Sequence, residues 1–487
     1  SRTNTIGNVR DRGYFKELRS VLEIGLNLNY DLDFITEGLS IKGQVAFDDN
    51  GSMERNYEQN FAVYEYDMLK QSYSTFGEDI PLHYAWGNVY DTRKTYYEVS
   101  LNYARTFGEH NLTGLILGNR DLKYINSQTP FATEGIVGRM TYDYGRRYLA
   151  EVNMGYNGSE NFAPQKRYGL FPAFALGWIV TNEPFLKNTG LTNILSSLKI
   201  RGSIGWVGND KLGTDPGDNR FIYLQQYVEE GGTYFGTGDN WFPGIRQGTI
   251  ANQNVQWEVA RKQNVGFEAN FLNGLFGITG DYFYEYRDKI LTSIVNTRPD
   301  YVGAAFSPAN VGIVENEGFE VEFRHNNLVT EDFSYFLRGN FSYAHNTILI
   351  KDDAFMTLDY QKEEGYPIGT PLLYNNIGIF QDYNEIYNSP AQISQLGGIP
   401  GNNYLYPGDL KFEDVNNDGV INIYDQIRTG YSDVPEITYG VSFGVRYKGF
   451  DASALVQGVS RASFWKNWEI MWHFSNNENV FPPHWNY

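Results

Sequence analysis

From Asp414 to Asp425, oxygen-bearing side chains fall at Asp414, Asn416, Asp418, Asn422 and Asp425, with Gly419 at the sixth position. This spacing follows the twelve-residue EF-hand loop, in which Val420 would supply a backbone carbonyl at position 7. Hard cations take oxygen ligands, and the glycine permits the sharp turn. Calcium, or another hard cation, would have a structural role here, fixing a long loop. The departure is Asp425 at position 12, where glutamate is usual and where the shorter arm limits bidentate reach. The same residues also read as an Asx-turn-rich loop closed by its own side chains. Both readings stand at this point.

Other residues suggest chemistry less strongly. Gly440-Val441-Ser442-Phe443-Gly444 matches the nucleophile elbow G-x-S-x-G in letters. That elbow needs a strand-turn-helix context, whereas Ser442 sits mid-strand in an alternating run. His83, His110, His325, His345, His473 and His484 are scattered, with no pair at metal spacing, and are expected in loops or at a rim. Glu320 with Glu322, and Glu315 with Glu317, resemble a glycosidase dyad only in type. Two residues apart on one strand, they are read as polar residues lining an interior. No nucleophile and base come together, so no enzyme is expected. Among the loop aromatics, Tyr234, Phe235, Trp241, Phe242, Tyr404 and Tyr406 could stack on sugar faces or pack on a partner. A small core within the loops is the competing reading.

What must position these residues is a set of strands. In Leu22, Ile24, Leu26, Leu28 and Tyr30 the apolar side chains alternate with Glu23, Gly25, Asn27 and Asn29. The same period of two recurs at Tyr97–Tyr103, Tyr148–Tyr156, Leu198–Trp206, Val265–Phe271, Phe319–Phe323 and Ile437–Tyr447. Successive strand side chains point to opposite faces, so each strand has one apolar and one polar face. A soluble sandwich alternates too. Two features favour a membrane barrel. Many strands could run about 11 to 16 residues, where globular strands average about 5–6 and a spanning strand needs about 9–11. The apolar faces also end repeatedly in Tyr, Phe or Trp, as an interfacial girdle does.

Composition agrees. The 487 residues include 38 Tyr, 32 Phe, 51 Gly and no Cys. The longest nearly apolar run, Gly169 to Val180, is too short for a transmembrane helix of about 20 residues. Absence of cysteine removes disulfides and thiolate metal sites. A net charge of −19, from 58 acidic against 39 basic residues, argues against a nucleic-acid partner. Connections are short at Phe34–Gly38, Phe107–His110, Tyr144–Arg146, Leu272–Gly274 and Lys448–Gly449. They are long at Asp67–Arg93, Val207–Gln256, Thr292–Asn310 and Asn346–Pro435. Short turns on one side and long loops on the other are the pattern of an outer-membrane barrel. About 15 strands are read.

Four stretches then resemble the SusC/RagA family of TonB-dependent transporters. The first is Tyr148-Leu149-Ala150-Glu151-Val152-Asn153, then Asn157-Gly158-Ser159-Glu160-Asn161-Phe162, then Gly169-Leu170-Phe171-Pro172-Ala173-Phe174-Ala175-Leu176-Gly177-Trp178. Ala173 and Ala175 stand at or near serines of the family pattern. The second is Leu198-Lys199-Ile200-Arg201-Gly202-Ser203-Ile204-Gly205 with Gly208-Asn209. The third is Trp257-Glu258, Asn264-Val265-Gly266-Phe267-Glu268 and Asp281-Tyr282-Phe283-Tyr284. The fourth joins Asn310-Val311-Gly312 and Asn316-Glu317-Gly318-Phe319-Glu320 to Gly408-Asp409-Leu410-Lys411-Phe412-Glu413-Asp414 and Tyr447-Lys448-Gly449-Phe450-Asp451. The match runs from about Lys94 to Gly458.

The resemblance implies an all-β, antiparallel transmembrane barrel of 22 strands in the outer membrane, of which residues 1–487 would be a part. Residues 346–435 would form a long extracellular loop region containing the EF-hand-like segment 414–425. No plug domain, TonB-box or final strand is found, so a longer protein is expected. The resemblance further implies import of an oligosaccharide or peptide, driven by TonB acting through the absent N-terminal region. A SusD-like lipoprotein would close over the loops, with Tyr234, Trp241, Phe242, Tyr404 and Tyr406 as candidate ligand or lid contacts. Transporter–lipoprotein pairs would form dimers in the surrounding lipid. The alternatives are a passive porin and a calcium-dependent, β-rich surface binding protein.

Overall fold

The computed structural model describes residues 5–126, 128–187, 189–212, 220–237, 240–294, 303–353, 358–392, 402 and 405–465. Fifteen strands make one antiparallel sheet. They are β1 (Gly13–Asp31), β2 (Leu39–Asn60), β3 (Ile80–Trp86), β4 (Val89–Phe107), β5 (His110–Ile125), β6 (Phe131–Tyr144), β7 (Tyr148–Ser159), β8 (Tyr168–Ile179), β9 (Leu195–Asn209), β10 (Glu258–Phe271), β11 (Phe276–Thr292), β12 (Ala309–Thr330), β13 (Phe333–Ile350), β14 (Ile437–Tyr447) and β15 (Phe450–Ser460). Spatial order follows chain order, except that β3 pairs only with the far end of β2. The expected short turns and long loops alternate along the chain. An exception is the Val180–Ile194 connection, which carries short helical turns at the short-turn end.

Two compact units divide the chain, residues 1–142, 152–160 and 167–171 in one and the remainder in the other. In the first, β1 pairs with β2 along its whole length, from Gly13 opposite Glu58 to Asp31 opposite Ser40. Tyr30, Ile41, Leu101 and Ile116 thereby form one row across β1, β2, β4 and β5, all on the apolar face and all exposed. In the second unit, Val265, Tyr282, Phe319 and Tyr343 form such a row across β10 to β13. The polar face carries the row Lys199, Glu268, Thr279, Glu322 and Asn340.

The apolar face is uncovered. Tyr439, Val441, Phe443, Val445 and Tyr447 of β14 are 43–51% exposed, where a sandwich would bury them between sheets. Buried hydrophobic residues instead cluster in the loops, around Phe162, Leu212, Ile222 and Val255. This separates a membrane sheet from a soluble sandwich.

Two expectations need correction. Strands reach 22 residues in β2 and β12, beyond the expected 16. Past the apolar zone they run on toward the long loops, as β12 does from Phe319 back to Ala309. Glu315 and Glu317 do not line the polar interior face. Register places them on the face of Phe319, opposite in sense to Glu320 and Glu322. Gly318 intervenes, and an odd step along a strand reverses the face.

The Asn346–Pro435 segment has its own fold. Leu372–Tyr374 pairs with Gln426–Arg428, and Asn376–Ile379 with Leu410–Phe412. Ala391–Gln392 runs parallel to Val420–Ile421. Its helix α1 (Tyr383–Asn388) is capped by Asp382, whose side chain accepts the Glu385 N–H at 2.8 Å. Phe380, Ile386, Ile421 and Asp425 are buried within it.

Candidate ligand and partner surface

The polar face of β9 to β11 is a ladder of forked arginines. Arg201 donates to Glu268 at 3.1 Å, to Asp281 at 2.8 Å and to Asn264 at 3.3 Å. Arg287 donates to Glu285 at 2.7 Å and to Glu258 at 3.0 Å, while Lys262 lies 3.2 Å from Glu285. Cross-strand register brings these groups together from positions up to 80 residues apart. At the long-loop end the ladder opens into a cavity of about 600 Å³, edged by Asn209, Glu258, Arg287, Asn316, Asn346 and Glu436. Amides beside mutually neutralised charges offer donors and acceptors to a polar solute without a strong net field. Sequence reasoning missed this cavity, because its residues come from strands paired only in three dimensions.

On the apolar face at the same end, tyrosines meet acids. The Tyr282 hydroxyl donates to Glu317 at 2.9 Å and that of Tyr284 to Glu315 at 3.1 Å. His345 Nδ1 lies 2.6 Å from Glu436 Oε1, and Arg461 donates to the other carboxylate oxygen at 3.4 Å. At the short-turn end, the Tyr335 hydroxyl lies 3.1 Å from His325 Nε2, and the His325 ring stacks on Phe276. Two histidines thus stand at the ends of the apolar zone, as expected of rim residues. Ser442 sits mid-strand on the polar face opposite Arg338, which disposes of the elbow reading.

The loop aromatics assemble in part. Tyr227–Phe235 and Asn240–Gln247 form a hairpin. Tyr234 and Trp241 stand directly opposite and pack edge-on at 5.1 Å, and Phe235 and Phe242, diagonal to each other, pack edge-on at 5.5 Å. Tyr234 remains 63% and Trp241 51% exposed. These rings therefore pair with each other without entering a core. Tyr406 is exposed in a turn closed by Asp409, whose carboxylate accepts the Tyr406 N–H at 2.8 Å, and among the described residues it packs on no other ring. Tyr404 lies outside the described residues.

The EF-hand-like segment closes on itself. Asp414 accepts the N–H groups of Asp418 at 3.2 Å and Gly419 at 2.8 Å. Asn416 Oδ1 accepts the Asp418 N–H, and Asp418 accepts the Val420 N–H. Asn422 and Asp425 form a capping box. Asp425, fully buried, accepts the Val415 N–H at 3.0 Å and the Asn422 N–H at 2.7 Å. Burial, then the charge of Asp425, pushes the Tyr374 and Tyr360 hydroxyls above their usual range. Gly419 has φ +84°, which its lack of a side chain permits. Among the described residues no three carboxylate or imidazole side chains converge as a metal cage. The oxygens of Asp414, Asn416, Asp418 and Val420 keep free lone pairs, so the donor chemistry still suits a hard cation.

Two of the family-like stretches meet. Phe162, fully buried, packs on Trp257 at 5.3 Å in the loop core. Trp178 donates its indole N–H to Glu183 at 2.9 Å at the end of β8.

Residues 1–452 match the family described as TonB dependent receptor-like, beta-barrel. The chain belongs to that family. The TonB-dependent receptor SusC of Bacteroides thetaiotaomicron is 30% identical over 377 residues, covering 73% of this chain and 34% of that protein. The TonB-dependent receptor P3 of Formosa agariphila is 26% identical over 418 residues, covering 81% of this chain and 39% of that protein. This chain of the TonB-dependent receptor family therefore spans little more than a third of the curated relatives it matches. Its fold is also that of the RagAB peptide importer in the open-open state, with a TM-score of 0.66 at 16% identity over 92% of this chain and 48% of that one. The SusC/RagA-like kinship expected from the four stretches is thus present.

Proposed function

We propose that this chain is the barrel portion of an outer-membrane transporter that imports an oligosaccharide or peptide in a TonB-dependent manner, together with a SusD-like surface lipoprotein. The observation that carries the reading is the pairing of an exposed apolar face with an ion-paired polar face on the same strands. The first suits lipid and the second a polar path for solute. Kinship to SusC, and the fold shared with a RagAB peptide importer, support the transport class. Because the chain covers a third of SusC, energy coupling, lid and dimeric assembly rest on kinship.

In this reading the long-loop end faces the cell exterior. The cavity bordered by Asn209, Arg287, Asn316 and Asn346 receives cargo, and the Tyr234–Trp241 hairpin meets the lid or the cargo. Rigid exposed rings supply contact area at small entropic cost. The 414–425 loop holds calcium through Asp414, Asn416, Asp418 and the Val420 carbonyl, with Asn422 and Asp425 bracing it. The ion would stiffen the insertion and play no part in a reaction.

The test is purification of the full-length protein from native outer membranes in mild detergent, with mass spectrometry of what accompanies it. A SusD-like lipoprotein in stoichiometric amount, depleted by about tenfold or more in a Tyr234→Ala/Trp241→Ala variant, is the expected result. A protein that stays soluble without detergent and travels alone would overturn the transporter reading and favour a soluble surface binding protein.

A further inference from the structure

At the short-turn end of the polar face, two arginines stand against each other. Arg324 of β12 is directly opposite Arg338 of β13. Like charges facing across strands destabilise a sheet. Elsewhere on this face the forks of Arg201 and Arg287 are neutralised by carboxylates. Among the described residues neither Arg324 nor Arg338 has a carboxylate within ion-pair distance.

Each is nevertheless held in place by an uncharged support. Arg324 lies across Gly277, where a β-carbon would collide with its side chain, and donates to Asn270 Oδ1. Arg338 sits over the Phe336 ring at 5.1 Å, and Phe336 in turn lies across Gly444. Both line one cavity of about 570 Å³ with Asn340 and Ser442. Two acids border it. Glu268 is engaged by Lys199 and Arg201, and Glu322 reaches neither arginine within ion-pair distance.

We propose that Arg324 and Arg338 form a carboxylate-binding site. Two planar guanidiniums from directly opposite positions line the same cavity, and each fork of N–H donors can hold a carboxylate bidentately. The bound anion would also relieve the repulsion between them. The carboxylate comes either from an acidic solute passing along this face or from an Asp or Glu of the same protein packed against it.

The experiment uses the full-length protein in detergent, with tri-glutamate as probe and tri-glutamine as control, both N-acetylated and C-amidated so that only the side-chain carboxylates differ, read by calorimetry and by melting temperature. A solute site gives tri-glutamate binding that falls at least about tenfold in R324Q and in R338Q, with R324K and R338K intermediate, and no binding of tri-glutamine. A site filled by the protein's own carboxylate gives no probe binding, a lower melting temperature in R324Q and R338Q, and recovery of most of that loss in the lysine variants. The proposal is overturned if the probe binds wild type and glutamine variants alike, or if both peptides bind equally. It is also overturned if, without probe binding, the glutamine variants melt at or above wild type, or if lysine restores nothing.

Discussion

Asp425 accepts two backbone N–H groups while fully buried, one from Val415 and one from Asn422. Removing it strands both donors, at about 1–3 kcal/mol each for a buried unsatisfied group. Asp425→Ala should therefore loosen residues 410–428, seen as faster amide exchange there with the strands β12 to β14 unchanged. The shorter aspartate that departs from the calcium-loop pattern thus has a reason in this fold: its carboxylate works on the backbone. Glu385 offers a pH-dependent counterpart. The Gln381 N–H, then the Lys411 side chain, hold its carboxyl below the usual range. Its contribution is present above the unfolded value of about 4.3 and lost as pH falls through the depressed folded one. Protection of the α1 amides, normalised for intrinsic exchange, should fall as pH drops below about 4.3. Unchanged protection below that pH would remove Glu385 from the account.

Among the elements, β12 shows how a strand changes task along its length. Its register sets Phe319, Val321 and Phe323 on the exposed apolar face, and Glu320, Glu322 and Arg324 on the polar one. Gly318 sits where a β-carbon would collide with the Tyr343 carbonyl oxygen and the Phe283 ring. Gly318→Ala must push backbone, so it should cost about 1–3 kcal/mol, as overpacking does. Thermal unfolding in detergent measures this, and an alanine variant as stable as wild type would show that β13 yields freely. β14 gives the other element-scale test. Tyr439 and Tyr447 are the outermost aromatic residues of its apolar face, about 27 Å apart along a strand rising roughly 3.4 Å per residue. A tilted strand covers with that length most of the roughly 25 Å apolar band between aromatic girdles. Phe443→Arg at its centre should destabilise the membrane-inserted protein by about 2–4 kcal/mol, and Gln457→Arg, on the polar face of β15 opposite Gly440, far less. Equal costs measured in lipid would contradict the assignment of faces.

For the molecule as a whole, the sequence by itself determined the class. Period-two alternation is local, so Leu22 to Tyr30 or Ile437 to Tyr447 reveal two-faced strands without any knowledge of their neighbours. Short turns are local as well, and the four family-like stretches carry kinship in their own letters. What lies between distant strands was not readable in this way. The joining of Phe162 to Trp257, of Arg201 to Asp281, and of Tyr234 to Trp241 depends on pairings set by the whole sheet or by a hairpin turn. Nor does any local signal mark Arg324 and Arg338 as neighbours, since each looks like an ordinary polar-face residue of its own strand. Alternation tells a strand which way its side chains point, because that follows from the backbone of a single residue and the next. Only the hydrogen-bonded register between strands decides what they point at.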